Sequence, residues 1–301
     1  MTGETHTTGT AHGPVELSVV IPAYNEELRI GEQLDALLAQ SWDGTWEIVV
    51  VDNRSTDRTG AIVEAYARRD PRVRLVPASE RAGLNFARNA GVAASRGRAF
   101  ALCDADDLVA PGWVAALGSA LREHEVVTGP LELDRLNPPW LAASRGRGDE
   151  RGLPTFQGLF PTVHGNNFGM VRACFEAVGR FDLDDRVIGV DDVELSLRIW
   201  QDGLGLYFEP GAVVHYRYRD DARALWRQGR TYGRARPFLV RRLREQRLPT
   251  PPRLAGWRSW VWLVAHIPQL RTREGRAAWV WVAANRWGQV EGSVQHRCLY
   301  L

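Results

Sequence analysis

Arg98-Ala99-Phe100-Ala101-Leu102-Cys103-Asp104-Ala105-Asp106-Asp107 starts as an apolar run and ends in three carboxylates within four positions. A short run of this kind, closed abruptly by charge, reads as a buried strand. Carboxylates that close together are costly unless a cation sits among them. A divalent metal that also carries phosphates would satisfy them. A solvated turn or a helix cap would leave the same trace.

Working outward, the same pattern recurs. Ser18-Val19-Val20-Ile21 is an apolar run closed by Pro22, and Glu47-Ile48-Val49-Val50-Val51 ends at Asp52. Val73-Arg74-Leu75-Val76 and Val126-Val127-Thr128 complete the set. Between them lie helical periods: Ile30, Leu34, Leu37 and Leu38; then Ile62, Val63 and Tyr66; then residues 84–94; then a helix opened by Pro111 and running through Leu117 and Leu121. Strand and helix alternating at this spacing predict an α/β fold, a mostly parallel sheet with helices on both faces. Ligands of such sheets bind beyond the carboxyl ends of the strands. Asn25-Glu26, Asp52 and Asp104-Ala105-Asp106 all stand at those ends.

Composition fits a packed globular chain: 301 residues, 45% hydrophobic and 25% charged, with a core large enough to need no staples. The cysteines, Cys103, Cys174 and Cys298, are odd in number and scattered, which predicts reduced thiols and a cytoplasmic setting. Residues 1–14 are expected to be a disordered lead with neither a signal peptide nor an anchor. Residues 134–160 look irregular and predict a mobile loop over the site. Every basic side chain other than histidine is arginine.

Five ordered pieces resemble the family-2 glycosyltransferases, which have the GT-A fold. They are Ser18 to Glu27, Val51-Asp52-Asn53-Arg54-Ser55-Thr56-Asp57-Arg58-Thr59, Ala87-Arg88-Asn89-Ala90-Gly91, Asp104-Ala105-Asp106, and Asp191-Asp192-Val193-Glu194-Leu195-Ser196. The resemblance covers roughly residues 17–220 and implies a glycosyltransferase domain over 15–220.

It further implies a nucleotide-diphosphate sugar donor, held by Pro22, Ala23, Tyr24, Glu26, Asp52, Arg88 and Asp104. Asp52 would accept a hydrogen bond from the base, and Arg88 would reach a phosphate or ribose. A Mg²⁺ or Mn²⁺ ion would sit on Asp104 and Asp106, since hard cations take oxygen ligands, with His215 as a further candidate ligand. Asp192 would be the general base, with Asp191 beside it where the family usually has glutamate. Asn166 and Asn167 would bind the acceptor, a glycan or a lipid-linked hydroxyl compound, in cell-surface glycan or glycolipid synthesis. The family inverts anomeric configuration. Its processive members carry spanning helices and a Gln-x-x-Arg-Trp signature; Gln228-Gly229-Arg230-Thr231-Tyr232 does not match it, so non-processive transfer is expected.

Residues 221–301 read as a basic helical extension. From residue 217 onward the chain holds 18 of the 38 basic residues, 5 of the 36 acids and seven of the twelve tryptophans. Arginine with tryptophan suits an anionic membrane surface, or the rings pack onto the catalytic domain or a second subunit. Nucleic acid is not an expected partner, because the acidic cleft would repel it. A nucleotidyltransferase would also use a metal-binding acid pair, but its basic phosphate loop is replaced here by the acidic Ala23-Tyr24-Asn25-Glu26-Glu27. A non-catalytic membrane- or nucleic-acid-binding protein with a relic site is the remaining rival, opposed by the intact Asp104, Asp106 and Asp192.

Overall fold

Valine-rich runs without polar alternation form strands only where both faces are covered, and every residue of the first strand is buried. The computed structural model describes residues 14–145, 152–254 and 256–301. Residues 1–13 of the expected disordered lead and 146–151 of the expected mobile loop lie outside the described residues.

The first half of the chain runs β1 (Leu17–Ala23), α1 (Ile30–Leu38), β2 (Trp46–Asp52), α2 (Thr59–Ala67), β3 (Val73–Pro77), α3 (Leu84–Ala94), β4 (Ala99–Cys103), β5 (Leu108–Val109), α4 (Trp113–Glu123), β6 (Val126–Thr128) and β7 (Leu131–Glu132). It continues through α5 (Pro139–Ser144), β8 (Thr155–Phe156), β9 (Phe160–Pro161), β10 (Asn167–Val171), α6 (Arg172–Ala177), α7 (Asp191–Gln201), β11 (Leu206–Phe208) and β12 (Val214–His215). Three helices close it: α8 (Ala222–Glu245), α9 (Trp257–Ala265) and α10 (Arg273–Gln295). Pro111 stands outside α4, which starts at Trp113 after Gly112 takes a left-handed φ of 85°.

The main sheet has the order β11-β6-β10-β4-β1-β2-β3. All neighbours are parallel except β10, which runs antiparallel to both β4 and β6. Pairing of Ala23 with Asp52, and of Asn167 with Cys103, brings the loops after β1, β2 and β4 and the start of β10 to one edge. A second sheet, β5-β12-β7, stands beside that edge.

Alternate residues of the central strands feed two cores. Val19, Ile21, Ile48 and Val50 pack with Ile30, Leu34 and Leu37 of α1 and Trp113, Leu117 and Leu121 of α4. Val20, Val49, Phe100 and Leu102 pack on the other face with Val92 of α3, Phe175 of α6 and Leu195 of α7.

The C-terminal helices pack back on this body. Asp221 caps α8 by accepting from the backbone N–H groups of Arg223 and Ala224, and Thr272 caps α10 through Gly275. On α7, buried Glu194 pairs with Arg242 of α8 at 2.7 Å. Helices α8 and α10 meet backbone to backbone: a Cβ on Gly233 would stand 2.1 Å from the Asn285 carbonyl oxygen, and one on Gly288 2.1 Å from that of Arg230. Gly233→Ala must therefore push the helices apart. It is expected to lower stability by about 1–3 kcal/mol, the usual cost of overpacking, seen as a lower urea midpoint at unchanged slope.

Candidate functional site

A carboxylate at the end of a buried strand keeps its charge only if the fold supplies partners, and this sheet edge supplies them. Arg88, on α3 and 3% exposed, donates to Asp191 Oδ2 at 2.5 Å and to the Gly165 carbonyl at 2.9 Å. Its guanidinium also lies 3.6 Å from Asp104 Oδ1 and faces the Phe181 ring. Arg88 thus bridges the acid that ends β4 and the acid that opens α7. Its charge is paired with these carboxylates at the wall of the cavity.

Asp104, Asp106 and Asp107 can bring carboxylate oxygens within 4.8 Å of one another. Burial and the neighbouring Asp106 and Asp191 push the Asp104 carboxyl up to about 6, against the pull of Arg88. Asp106 pairs with Arg219 at 2.9 Å. Asp107 is buried; it accepts from Asn166 Nδ2 at 2.7 Å and from the Arg217 backbone N–H at 2.8 Å. Burial and the two other aspartates push its carboxyl well above the ordinary range. Hard oxygen donors in such a set fit Mg²⁺ or Mn²⁺ better than softer metals.

Asp192 lies in the first turn of α7, where the helix dipole favours negative charge. Its Oδ2 accepts from Gly165 N–H at 3.2 Å and its Oδ1 from Val193 N–H at 2.8 Å. Desolvation and the adjacent Asp191 nonetheless push its carboxyl up to about 6. Asp104, Asp191, Asp192, Arg88 and Asn166 all line one cavity of about 880 Å³. Its far wall is aromatic: Tyr216 and Tyr218 follow β12, while Tyr232 comes from α8 and Trp281 from α10. Arg145 lies between the Tyr218 and Trp281 rings, 4.1 and 3.6 Å from their centroids. The sequence boundary at residue 220 therefore does not bound the site, because the C-terminal helices build one of its walls.

The other expected residues stand outside that wall. Pro22 and Ala23 belong to β1, Tyr24 is exposed, and Asp52 Oδ1 accepts from Ser55 N–H at 2.9 Å. Glu26 donates its backbone N–H to Thr59 Oγ1 at 2.8 Å, and burial together with the facing Asp106 raises its carboxyl. These residues share the sheet edge with the acids. One expectation is corrected. Asn167 is fully buried and its amide is used within the fold, donating to Pro130 and Ala212 carbonyls and accepting from Trp113 Nε1. No group is left for an acceptor. His215 is held at Nδ1 by Glu132, 2.6 Å away, in the register His215 to Glu132 of the second sheet, and its Nε2 faces Arg135; the described acids whose oxygens cluster are Asp104, Asp106 and Asp107.

Sequence reasoning missed Arg217, Arg219 and Tyr216–Tyr218 as site residues. The alternation Tyr216-Arg217-Tyr218-Arg219 just past a strand end was their only signal.

The fold is that of the GT-A glycosyltransferases. Within that class the chain belongs to glycosyl transferase family 2, whose family model matches residues 18–179. It is 34% identical over 199 residues to the succinoglycan biosynthesis protein ExoO of Rhizobium meliloti, covering 62% of this chain and 53% of that protein. To the probable glycosyltransferase YdaM of Bacillus subtilis it is 26% identical over 246 residues, 75% of this chain and 56% of that one. The chain thus spans about half the length of these curated relatives. Among solved structures, it is similar to the mannosyltransferase PcManGT of Pyrobaculum calidifontis in complex with GDP-Man and Mn²⁺, at TM-score 0.63 and 20% identity over 93% of this chain and 89% of that one. It is also similar to GalNAc-T7 with UDP, GalNAc and Mn²⁺, at TM-score 0.55 and 20% identity over 86% of this chain and 57% of that one.

Because a proton competes for Asp104, Mn²⁺ affinity measured by calorimetry should fall as pH drops through about 6, by about tenfold per unit below it. Asp106→Asn should abolish this binding while leaving the thermal unfolding transition cooperative. Undiminished Mn²⁺ affinity in that variant would remove the cluster as a metal site.

Proposed function

We propose that the protein moves a sugar from a nucleotide-diphosphate sugar to a hydroxyl group on a glycan or lipid-linked acceptor, inverting the anomeric centre and adding one or few residues. The observation that carries this reading is Asp192: a carboxyl raised to about 6, at the wall of the cavity that also contains Asp104. A base tuned close to the working pH is what proton abstraction from a hydroxyl requires. The nucleotide sugars and Mn²⁺ of the structurally similar transferases support the donor class and the metal.

A Mg²⁺ or Mn²⁺ ion held by Asp104 and Asp106 would neutralise charge on the departing diphosphate. The chain's own groups do the rest. Pro22 to Glu26 and Asp52 line the edge where base and ribose would lie. Gly165 N–H fixes one oxygen of Asp192, and Arg88 holds Asp191 so that the pair does not repel itself apart. The acceptor oxygen loses its proton to Asp192 and attacks the sugar carbon as the bond to the diphosphate breaks on the opposite face. Tyr216, Tyr218, Tyr232 and Trp281 offer ring faces to the apolar faces of an acceptor sugar. Closing reactants into one cavity supplies much of the remaining rate.

The reading extends to cell-surface glycan or glycolipid synthesis; one relative, ExoO, is named for succinoglycan biosynthesis. The test is transfer from a panel of UDP-, GDP- and dTDP-sugars with Mn²⁺. Asp192→Asn should still bind the donor and lose turnover by about 10²–10⁴-fold. In the parent, kcat/KM should fall as pH drops through about 6, because Asp192 accepts a proton only when ionised. An active Asp192→Asn beside a dead Asp191→Asn would move the base to Asp191.

A further inference from the structure

A second concave surface lies on the C-terminal helices, away from the acids. Trp226 of α8, Trp260 and Val264 of α9, Ile267 of the turn that follows, and Trp279 and Trp287 of α10 line a groove of about 340 Å³. Val264 is 70% exposed, Ile267 53% and Trp287 50%. Large apolar side chains clustered in this way on a surface mark a docking face. The placement follows helical spacing: Trp260 and Val264 are four apart, as are Trp279, Ala283 and Trp287. The indole N–H groups of Trp279 and Trp287 are satisfied by the Leu263 carbonyl and by Glu291, so the rings need no polar partner from outside.

Cations surround this groove. Arg223 and Arg230 lie three and four residues from Trp226 on the same side of α8, Arg258 stacks on Trp257, and Arg271 and Arg273 follow Ile267. Among the described residues, no acidic side chain lies within ion-pair distance of Arg223, Arg227, Arg258, Arg271 or Arg273, whereas Arg230 pairs with Glu291. Residues 217–301 carry a balance of +13.

We infer that this groove is the face by which the protein lies on an anionic lipid bilayer, its tryptophans at headgroup depth and its arginines on lipid phosphates. Charge decides between occupants. A second copy of the chain would bring the same arginine-rich rim against itself, which repels; an anionic bilayer neutralises it. The mode is peripheral, because no helix among the described residues is long and apolar enough to cross a membrane.

Helix α10 joins this face to the catalytic cavity. Trp279 and Trp287 line the groove, while Trp281, two residues from Trp279, points into the cavity beside Tyr232. An acceptor anchored in the bilayer would then meet the aromatic wall first. That last step rests on the transferase reading; attachment to lipid does not, and it is measured without donor or acceptor.

The experiment is flotation of the full chain with vesicles of phosphatidylcholine alone or mixed with phosphatidylglycerol. Binding is expected to the mixed vesicles at low salt, to weaken at high salt, and to be absent with phosphatidylcholine alone. Val264→Asp and Trp260→Ser change exposed positions and should keep the parent circular dichroism. Each should weaken binding at least about tenfold through lost apolar burial. Arg223→Gln and Arg227→Gln should each cost about fivefold on anionic vesicles. A parent that does not float with anionic vesicles overturns the inference, as does Val264→Asp binding like the parent. A parent dimer that Val264→Asp dissociates would assign the groove to a second copy and overturn it too. Loss of floating with intact sugar transfer to a water-soluble acceptor would separate this inference from the catalytic one.

Discussion

One buried guanidinium holds the site together. Arg88 sits where the acids of β4 and α7 converge, with only 3% of its surface exposed. Without it, Asp104, Asp191 and Asp192 would lose the buried cation that acts on all three. Two further consequences follow from its position. The segment at Gly165 is fixed by its carbonyl contact with Arg88, and Gly165 N–H in turn orients Asp192. Removing one partner of such a buried pair usually costs far more than the pair contributes, because the survivor is left charged and dry. Arg88 is therefore a positioning residue, and Gly91 lets its helix approach β1 and β2, since a Cβ there would stand 2.4 Å from Val20 and 2.6 Å from Val51.

The acidic loop after β4 is held from its other side by the segment after β12. Arg217 reaches the Asp106 carbonyl and Glu32, and Arg219 reaches the Asp106 carboxylate. Asp107 ties the loop to Asn166 and to the Arg217 backbone. The three aspartates of the run thus divide their work. Asp104 and Asp106 keep oxygens toward the open edge, while Asp107 is turned inward as an anchor. Because Arg219 is half exposed, its pairing with Asp106 is the contact that a bound cation and its phosphates would rearrange first.

The strands and the acid pairs were legible in the sequence because a parallel sheet writes its buried strands as plain apolar runs with polar ends. Leu84–Ala94, Asp104 and Asp106 could be read from local pattern, whereas Asp192 stood out only through the family resemblance, because two acids opening a helix also read as a complement to its dipole. The partners of Asn167 and His215 could not be read locally. Each is set by chain segments tens of residues away: Trp113, Pro130 and Ala212 for the asparagine, Glu132 and Arg135 for the histidine. The aromatic wall was hidden for the same reason, since Tyr232 and Trp281 reach the cavity only after α8 and α10 fold back on the sheet. A helical pattern shows which residues share a face, but not what that face meets.

The glycine contact between α8 and α10 has a consequence for how such a site can diversify. Where two helices touch through Gly233 and Gly288, their spacing is set by main-chain atoms and not by side-chain volume. The breadth of the cavity between Tyr232, Trp281 and the acids is then a constant of the architecture. Tyr232 and Trp281 can be exchanged for residues of different size and polarity without the frame moving to compensate. A lineage could thereby retune which molecule is accepted by changing the furniture of a room whose walls stay put.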